Sequence, residues 1–199
     1  MSNIYISEDE FMNKGKIICL NGVSSSGKST LAKSLQEKLK EPYYWMSEDM
    51  FVFILPDKFN VFKNDTEENE DILEEALFNY YHTIKLYSDR GSNIIIDTVL
   101  DDEEWVDYLL ELLQDNPVLF IRVTCPKEEL IKRELARGDR EIGLAAEQLE
   151  HLSPQEQIYD ITVDTHVYTV DECSSKIIAH LECSNDFQAF RTLWAQRKK

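Results

Sequence analysis

Apolar residues along this chain fall into two kinds of segment: short continuous runs, and longer stretches in which they recur every three to four positions. The short segments are Lys16–Asn21 (KIICLN), Tyr43–Ser47 (YYWMS), Asn93–Asp97 (NIIID), Val118–Thr124 (VLFIRVT) and Asp160–Asp164 (DITVD). Three of them are unbroken apolar runs, the pattern of strands buried on both faces. Between them, Leu31, Leu35 and Leu39 form one helical stripe. Leu109, Leu110, Leu112 and Leu113 form a second, and Ile177, Ile178 and Leu181 a third, with Thr169 and Glu172 placed as a capping box ahead of it. Strands alternating with helices predict an α/β fold, a parallel sheet covered by helices, in one domain over residues 1–199.

Two stretches are less regular. Residues 56–75 carry Asp65, Glu67, Glu68, Glu70, Asp71, Glu74 and Glu75, which reads as a solvated loop running into an exposed helix face. The alternative is a cover over a substrate pocket. In residues 185–199, Phe187, Phe190, Leu193 and Trp194 fall at helical spacing ahead of Arg197, Lys198 and Lys199. This predicts a docking helix with cations suited to its C-terminal dipole, a partner or homo-oligomer contact being the alternative.

Length and charge narrow the function classes. A chain of 199 residues suits one domain with a full core. A formal charge of −17 opposes binding to nucleic acid or to an anionic membrane. No apolar run is long enough for a membrane span, and MSNIYISEDE lacks the basic and apolar regions of a secretory signal. Cys19, Cys125, Cys173 and Cys183 have no zinc-ligand or CxxC spacing and read as reduced thiols of a cytoplasmic protein.

The sharpest chemical signal is Gly22-Val23-Ser24-Ser25-Ser26-Gly27-Lys28-Ser29, the pattern G-x-x-x-x-G-K-[ST]. It follows the first predicted strand and opens the helix begun by Ser29, Thr30 and Leu31. Small residues let successive N–H groups turn inward around a phosphate, and the helix N-terminus adds its dipole. Lys28 can reach the outer phosphates, and the Ser29 hydroxyl can ligate Mg²⁺. The plain alternative is a Gly/Ser turn between strand and helix. Asp97 ends a buried strand, which suits a Mg²⁺ contact or, more simply, a turn or N-cap residue. Asp101, Asp102, Glu103 and Glu104 read as the acidic first turn of the next helix.

After the second strand comes Ser47-Glu48-Asp49. The carboxyl ends of parallel strands face the ligand crevice, so Asp49 lies where it can take the proton of a hydroxyl meeting a terminal phosphate. Glu48 is its rival, and helix capping is an alternative for both. Beyond the fourth strand, Arg133 and Arg137 share a helix face, Gly138 ends or bends the helix, and Arg140 follows. This segment, about 127–146, reads as a lid whose guanidinium groups clamp a transferring phosphoryl group, or as ion pairing with Glu129, Glu134 and Glu141. Phe51, Phe53, Phe59, Phe62 and Tyr80 either line an aromatic pocket or belong to the core.

In order, these features resemble the chloramphenicol phosphotransferases over roughly residues 16–182. The resemblance rests on the phosphate loop with its serine run, Ser47-Glu48-Asp49 and the strand ending in Asp97. It also rests on residues 133–140 (RELARGDR) followed by Gly143-Leu144-Ala145-Ala146, and on residues 159–165 (YDITVDT). The last two are the more specific, because the loop is shared by many kinases. The resemblance implies a three-layer P-loop NTPase fold similar to shikimate and adenylate kinases, with a five-stranded parallel sheet of order 2-3-1-4-5 and helices on both faces. It implies ATP and Mg²⁺, a small-molecule hydroxyl as acceptor, Asp49 as general base, and Arg133, Arg137 and Arg140 as phosphate-clamping lid residues. Leu55–Tyr87, where the family's acceptor pocket lies, is unusually acidic and matches weakly, and the C-terminal helix lies beyond the shared region. The rival readings are a kinase of nucleosides, nucleotides or nucleotide sugars, similar to zeta toxins, and a non-catalytic ATP-binding switch.

Overall fold

The computed structural model describes residues 13–59, 66–137, 143–151, 158–184 and 186–198. Its strands are β1 (Ile17–Asn21), β2 (Tyr43–Ser47), β3 (Asn93–Thr98), β4 (Val118–Thr124) and β5 (Ile161–Asp164). All pair in parallel, in the order β2-β3-β1-β4-β5. The expected order is therefore the observed one. The boundaries shift slightly: β1 begins at Ile17 rather than Lys16, β3 runs on to Thr98, and β5 begins at Ile161. Asp160 stands just ahead of the strand, its own N still donating to Phe120 O at 2.9 Å while its carboxylate gathers donors from β4 and from the chain near residue 188. Its Oδ2 accepts from Phe120 N at 2.8 Å, and its Oδ1 accepts from Gln188 N at 2.9 Å and Ala189 N at 3.0 Å.

Alternation along the central strands divides the core in two. Ile17 and Cys19 of β1, with Ile94, Ile96, Val118 and Phe120 of its neighbours, face one way. Against them pack α3 (Glu67–Asp89), α4 (Glu103–Leu113) and α8 (Ala189–Arg197), through Tyr80, Ile84, Leu109, Leu113 and Phe190. Ile18, Leu20, Ile95, Leu119 and Ile121 face the other way. There they meet α1 (Lys28–Lys38) and α7 (Val170–Cys183) through Leu31, Leu35, Cys173 and Ile177. Each fully buried aliphatic side chain is worth about 1.5–3 kcal/mol over exposure, so both faces need their helices.

The predicted helix signals act as read. Thr169 and Glu172 form a reciprocal capping box at the start of α7. Asp102 caps α4, accepting from Glu104 N and Trp105 N at 2.8 and 3.1 Å. α8 docks as expected, Phe190 meeting Phe120 edge-on with ring centroids 5.4 Å apart, while Arg197 near its end pairs with Asp107 of α4. The remaining helices are α2 (Glu48–Phe53), α5 (Lys127–Arg137) and α6 (Leu144–His151). The acidic stretch 56–75 contributes a short 3-10 turn at Asp57–Phe59 and the start of α3, and its residues 60–65 lie outside those described. Cys19, Cys125 and Cys173 are buried, Cys183 is exposed, and none is in a disulfide. Among the described residues no helix is long and apolar enough to cross a membrane.

Candidate active site

The loop between β1 and α1 is shaped by two glycines. A Cβ on Gly22 would lie 2.4 Å from the carbonyl oxygen of Val123, so only glycine lets the chain leave the sheet so close to β4. Gly27 has φ +98° and forms the N-cap of α1 with no side-chain hydrogen bond to the helix. The first turn of α1 therefore opens onto the loop with no side-chain cap from its N-cap residue. Lys28 lies back over the same loop, its Nζ donating to the carbonyls of Gly22 and Val23 at 2.7 and 2.9 Å. It also stands 3.9 Å from Asp97 Oδ1. The hydroxyl oxygens of Ser25 and Ser26 are buried and lack a hydrogen-bond partner among the described residues. A ring of donors, a cation and unused hydroxyls is a cradle for a polyanion, and a phosphate chain fits it.

Ser29 follows Lys28 and donates from Oγ to Asp97 Oδ2 at 2.7 Å. A hydroxyl and a buried carboxylate side by side form a hard oxygen donor set. Mg²⁺ takes one or two such groups and fills its remaining positions with phosphate and water, so this pair fits that ion.

Loop and pair form the floor of a cavity of about 640 Å³. Toward β4 and β5 it is lined by Arg133 of α5, Leu144 and Gln148 of α6, Thr165 and Val170. Arg133 lies across the loop: its guanidinium donates to Thr165 Oγ1 and Thr165 O at 3.0 Å each and reaches Ser25 O at 3.4 Å. It also pairs with Glu129 at 3.4 Å, the intrahelical ion pair given above as the alternative reading. The backbone of Arg137 ends α5, its side chain is outside what is described, and Arg140 lies outside the described residues. Gln148 Oε1 accepts from Ser24 N at 2.7 Å, which seats α6 on the loop. Glu134 is buried and accepts from Gly143 N and Ala145 N at 2.9 and 2.8 Å, tying α5 to the start of α6.

Toward β2 and β3 the lining changes to Glu48 and Asp49 of α2, Leu77 and Tyr81 of α3, Thr98, Asp101, Asp102 and Trp105. Glu48 takes the inner position, accepting a hydrogen bond from Thr98 Oγ1, with Tyr81 Oη 3.5 Å away. The residue still reaches the cavity surface, but burial of its carboxyl pushes the group up to about 8. Thr98 and Lys28 oppose that shift, while Asp97 and Asp101 add to it. Burial and then the nearby Glu48 also drive the Tyr81 phenol well above its ordinary value.

The sequence-predicted residues Gly27, Lys28, Ser29, Thr30, Glu48, Asp49, Asp97 and Arg133 thus share one cavity. The aromatic stripe belongs elsewhere. Tyr80 is core, packed edge-on against Phe51 at 5.2 Å, Phe53 is exposed, and Phe62 is outside the described residues. The aromatic wall is instead Tyr81 and Trp105, with ring centroids 5.6 Å apart. Tyr81 adjoins Tyr80 on a helix whose acidic start hides it. Thr165 closes a segment that was legible, Glu134 was legible only as an ion-pairing candidate, and nothing in the sequence marks Gln148.

Loop, sheet order and cavity define a P-loop phosphotransferase fold, and comparison with known proteins agrees. A profile of the chloramphenicol phosphotransferase-like protein family matches residues 15–182, and the chain belongs to that family. It is 30% identical to a Mycobacterium tuberculosis protein named "Putative O-phosphotransferase", over 83% of this chain and 82% of that one. It is 26% identical to guanylate kinase of Mycoplasma genitalium, over 76% of this chain and 68% of that one. Among solved structures it is similar to APS kinase of Mycobacterium tuberculosis in complex with AMPPNP and APS, at TM-score 0.62 and 19% identity over 85% and 99% of the two chains. It is also similar to shikimate kinase from Acinetobacter baumannii in complex with shikimate, at TM-score 0.61 and 14% identity over 88% and 96%.

Proposed function

We propose that this protein is an ATP-dependent O-phosphotransferase of one domain, acting in the cytoplasm, that transfers the terminal phosphoryl group of ATP to a hydroxyl of a small molecule. The observation that carries the reading is the single cavity shared by the Gly22–Ser29 loop, the Ser29–Asp97 pair and the Glu48–Asp49 carboxyls.

In this reading, the amides of residues 22–30 and Lys28 hold the phosphates, and Lys28 leaves the carbonyls of Gly22 and Val23 to do so. Ser29 and Asp97 hold Mg²⁺, which supplies neutralisation of phosphate charge when bound. Asp49 orients the acceptor hydroxyl and takes its proton as the new O–P bond forms and the bond from phosphorus to the ADP oxygen breaks. Glu48 is the poorer proton acceptor at neutral pH, because burial keeps its carboxyl protonated up to about 8. With Thr98 and Tyr81 it fixes the inner wall against which the acceptor sits. Arg133, with Arg137 and Arg140 from the same segment, offsets charge on the transferring group.

The test is mass spectrometry of a pooled set of metabolites and antibiotics incubated with protein, ATP and Mg²⁺. The expected result is gain of one phosphoryl group by a hydroxyl compound, lost in Lys28→Ala. Nucleotide binding with slow hydrolysis and no phosphorylated product would replace this reading with that of a switch protein.

A further inference from the structure

Resting on that reading, we infer that Thr165 is a positioning residue of the phosphate loop: its hydroxyl holds the carbonyl of Ser26 outward, so that the N–H of Gly27 faces the phosphate chain. A loop that binds an anion through its backbone must turn its N–H groups inward and keep its carbonyl oxygens away, since those oxygens repel the ligand. In a trans peptide the C=O and the N–H point in opposite directions, so fixing one fixes the other. The peptide bond from Ser26 to Gly27 is trans.

Three side chains hold carbonyls of this loop. Lys28 Nζ meets Gly22 O and Val23 O, which it leaves when it turns to the phosphates. Arg133 reaches Ser25 O at 3.4 Å, and Thr165 Oγ1 donates to Ser26 O at 2.6 Å. Thr165 belongs to the sheet rather than to the loop. Its N–H donates to Thr124 O at 3.0 Å and carries the β4–β5 ladder one residue past Asp164. The guanidinium of Arg133 fixes the side chain by donating to Thr165 Oγ1 and Thr165 O at 3.0 Å each. A hydroxyl has one hydrogen to give. Ser26 O is its near acceptor, and Thr124 O lies farther off at 3.3 Å.

A second observation places the same side chain at the bend itself. Gly27 has φ +98°, and a Cβ built on it would lie 3.4 Å from Thr165 Cγ2 and 3.5 Å from Thr165 Oγ1. The turn into α1 is thus packed against Thr165 as well as bonded to it. Among the described residues no acceptor meets Gly27 N, the N–H that the held carbonyl turns the other way. Without the hydroxyl, the Ser26–Gly27 peptide loses its short anchor and is free to rotate, and a rotation brings a carbonyl oxygen toward the phosphate. The cost therefore falls on phosphate binding and leaves the rest of the nucleotide untouched.

The test compares the full chain with Thr165→Val, which keeps the shape and loses the hydroxyl, and Thr165→Ser, which keeps the hydroxyl. Calorimetry reads the affinity for AMPPNP with Mg²⁺, and ligand-observed NMR reads that for adenosine. Thr165→Val should weaken AMPPNP about 10-fold, the scale of one lost buried hydrogen bond, and change adenosine by less than about twofold. Thr165→Ser should bind both within about twofold of wild type. In glycine-labelled wild type and Thr165→Ser, the Gly27 amide proton should move downfield when AMPPNP binds, as an N–H meeting a charged oxygen does. In Thr165→Val that movement should fall by half or more. Unchanged AMPPNP affinity in Thr165→Val overturns the inference, as does a serine variant no better than the valine one. An equal loss of adenosine makes Thr165 a contact of the base and overturns it too. A wild type that binds AMPPNP with no movement of the Gly27 proton overturns it even if Thr165→Val does not fold. A wild type that does not bind AMPPNP sinks the ATP-dependent reading itself, and the inference with it.

Discussion

Ser29 Oγ donates a 2.7 Å hydrogen bond to Asp97 Oδ2, joining the first turn of α1 to the carboxyl end of β3. The two residues are remote in sequence but sit beside each other because β3 pairs with β1 in register, Leu20 opposite Asp97. If the pair holds Mg²⁺, Asp97→Asn should raise the Mg²⁺ concentration needed for half-maximal turnover and lower turnover by about 100-fold, the scale of a lost electrostatic contact. Titration of MgCl₂ at saturating ATP reads both. An unchanged requirement would take Asp97 out of the metal site.

Asp49→Asn should lower turnover by about 10²–10⁴-fold, the range for a lost acid–base group. Nucleotide affinity should stay within about twofold, because the phosphate loop is untouched. Isothermal calorimetry with AMPPNP and a coupled ADP assay separate the two quantities. If affinity falls and turnover per bound nucleotide does not, Asp49 belongs to nucleotide binding.

Glu48→Gln should stabilise the fold. The folded carboxyl titrates at about 8, against an ordinary value of 4.5. Below the lower value both states hold the proton, and the wild type bears no penalty. Between them the unfolded chain releases its proton while the folded chain keeps it, so wild-type stability declines as pH rises across that window. Glutamine is neutral throughout. Its advantage should therefore grow from pH 5 to pH 8 by up to about 1.4 kcal/mol per pH unit, seen as a widening difference in Tm. Thermal melts of both proteins at the two pH values check this. A gain that is flat with pH would place the titration elsewhere.

Glu134→Ala should uncouple α6 from α5. It leaves the amides of Gly143 and Ala145 without their carboxylate acceptor, at a cost of about 2 kcal/mol, or roughly 4–8 °C in Tm. Hydrogen exchange should rise first in residues 143–151. Unaltered exchange there would show that Gln148 alone seats the helix on the loop.

Much of this architecture was legible because its signals are local. A buried run such as NIIID reads as a strand, and glycine, lysine and serine at fixed offsets read as a phosphate loop without knowledge of neighbours. Sheet order came from resemblance, since hydrophobic period does not say that β1 lies between β3 and β4. The acceptor end was the least readable. Glu48 and Asp49 adjoin in sequence, and only packing makes one the partner of Thr98. Tyr81 and Trp105 are remote in sequence and become one wall only when α3 and α4 pack together. Glu134 looked like one half of an intrahelical ion pair, but its carboxylate turned out to bind backbone amides eleven or fewer residues ahead. Arg133 is held by Glu129, Thr165 and a loop carbonyl at once, which its place in the sequence alone does not show.

α8 supplies Ala189, Phe190 and Leu193 to the same apolar layer as Phe120 of β4 and Leu109 of α4. A ribosome will have finished every strand before it delivers that helix. Until then a growing polypeptide carries the part of that layer around Phe120 without its cover, with the Asp160 carboxylate lacking two of its three amide donors. Closure of the hydrophobic interior therefore waits on the last of these helices, and translation products stalled or clipped before α8 should be natural clients of chaperones.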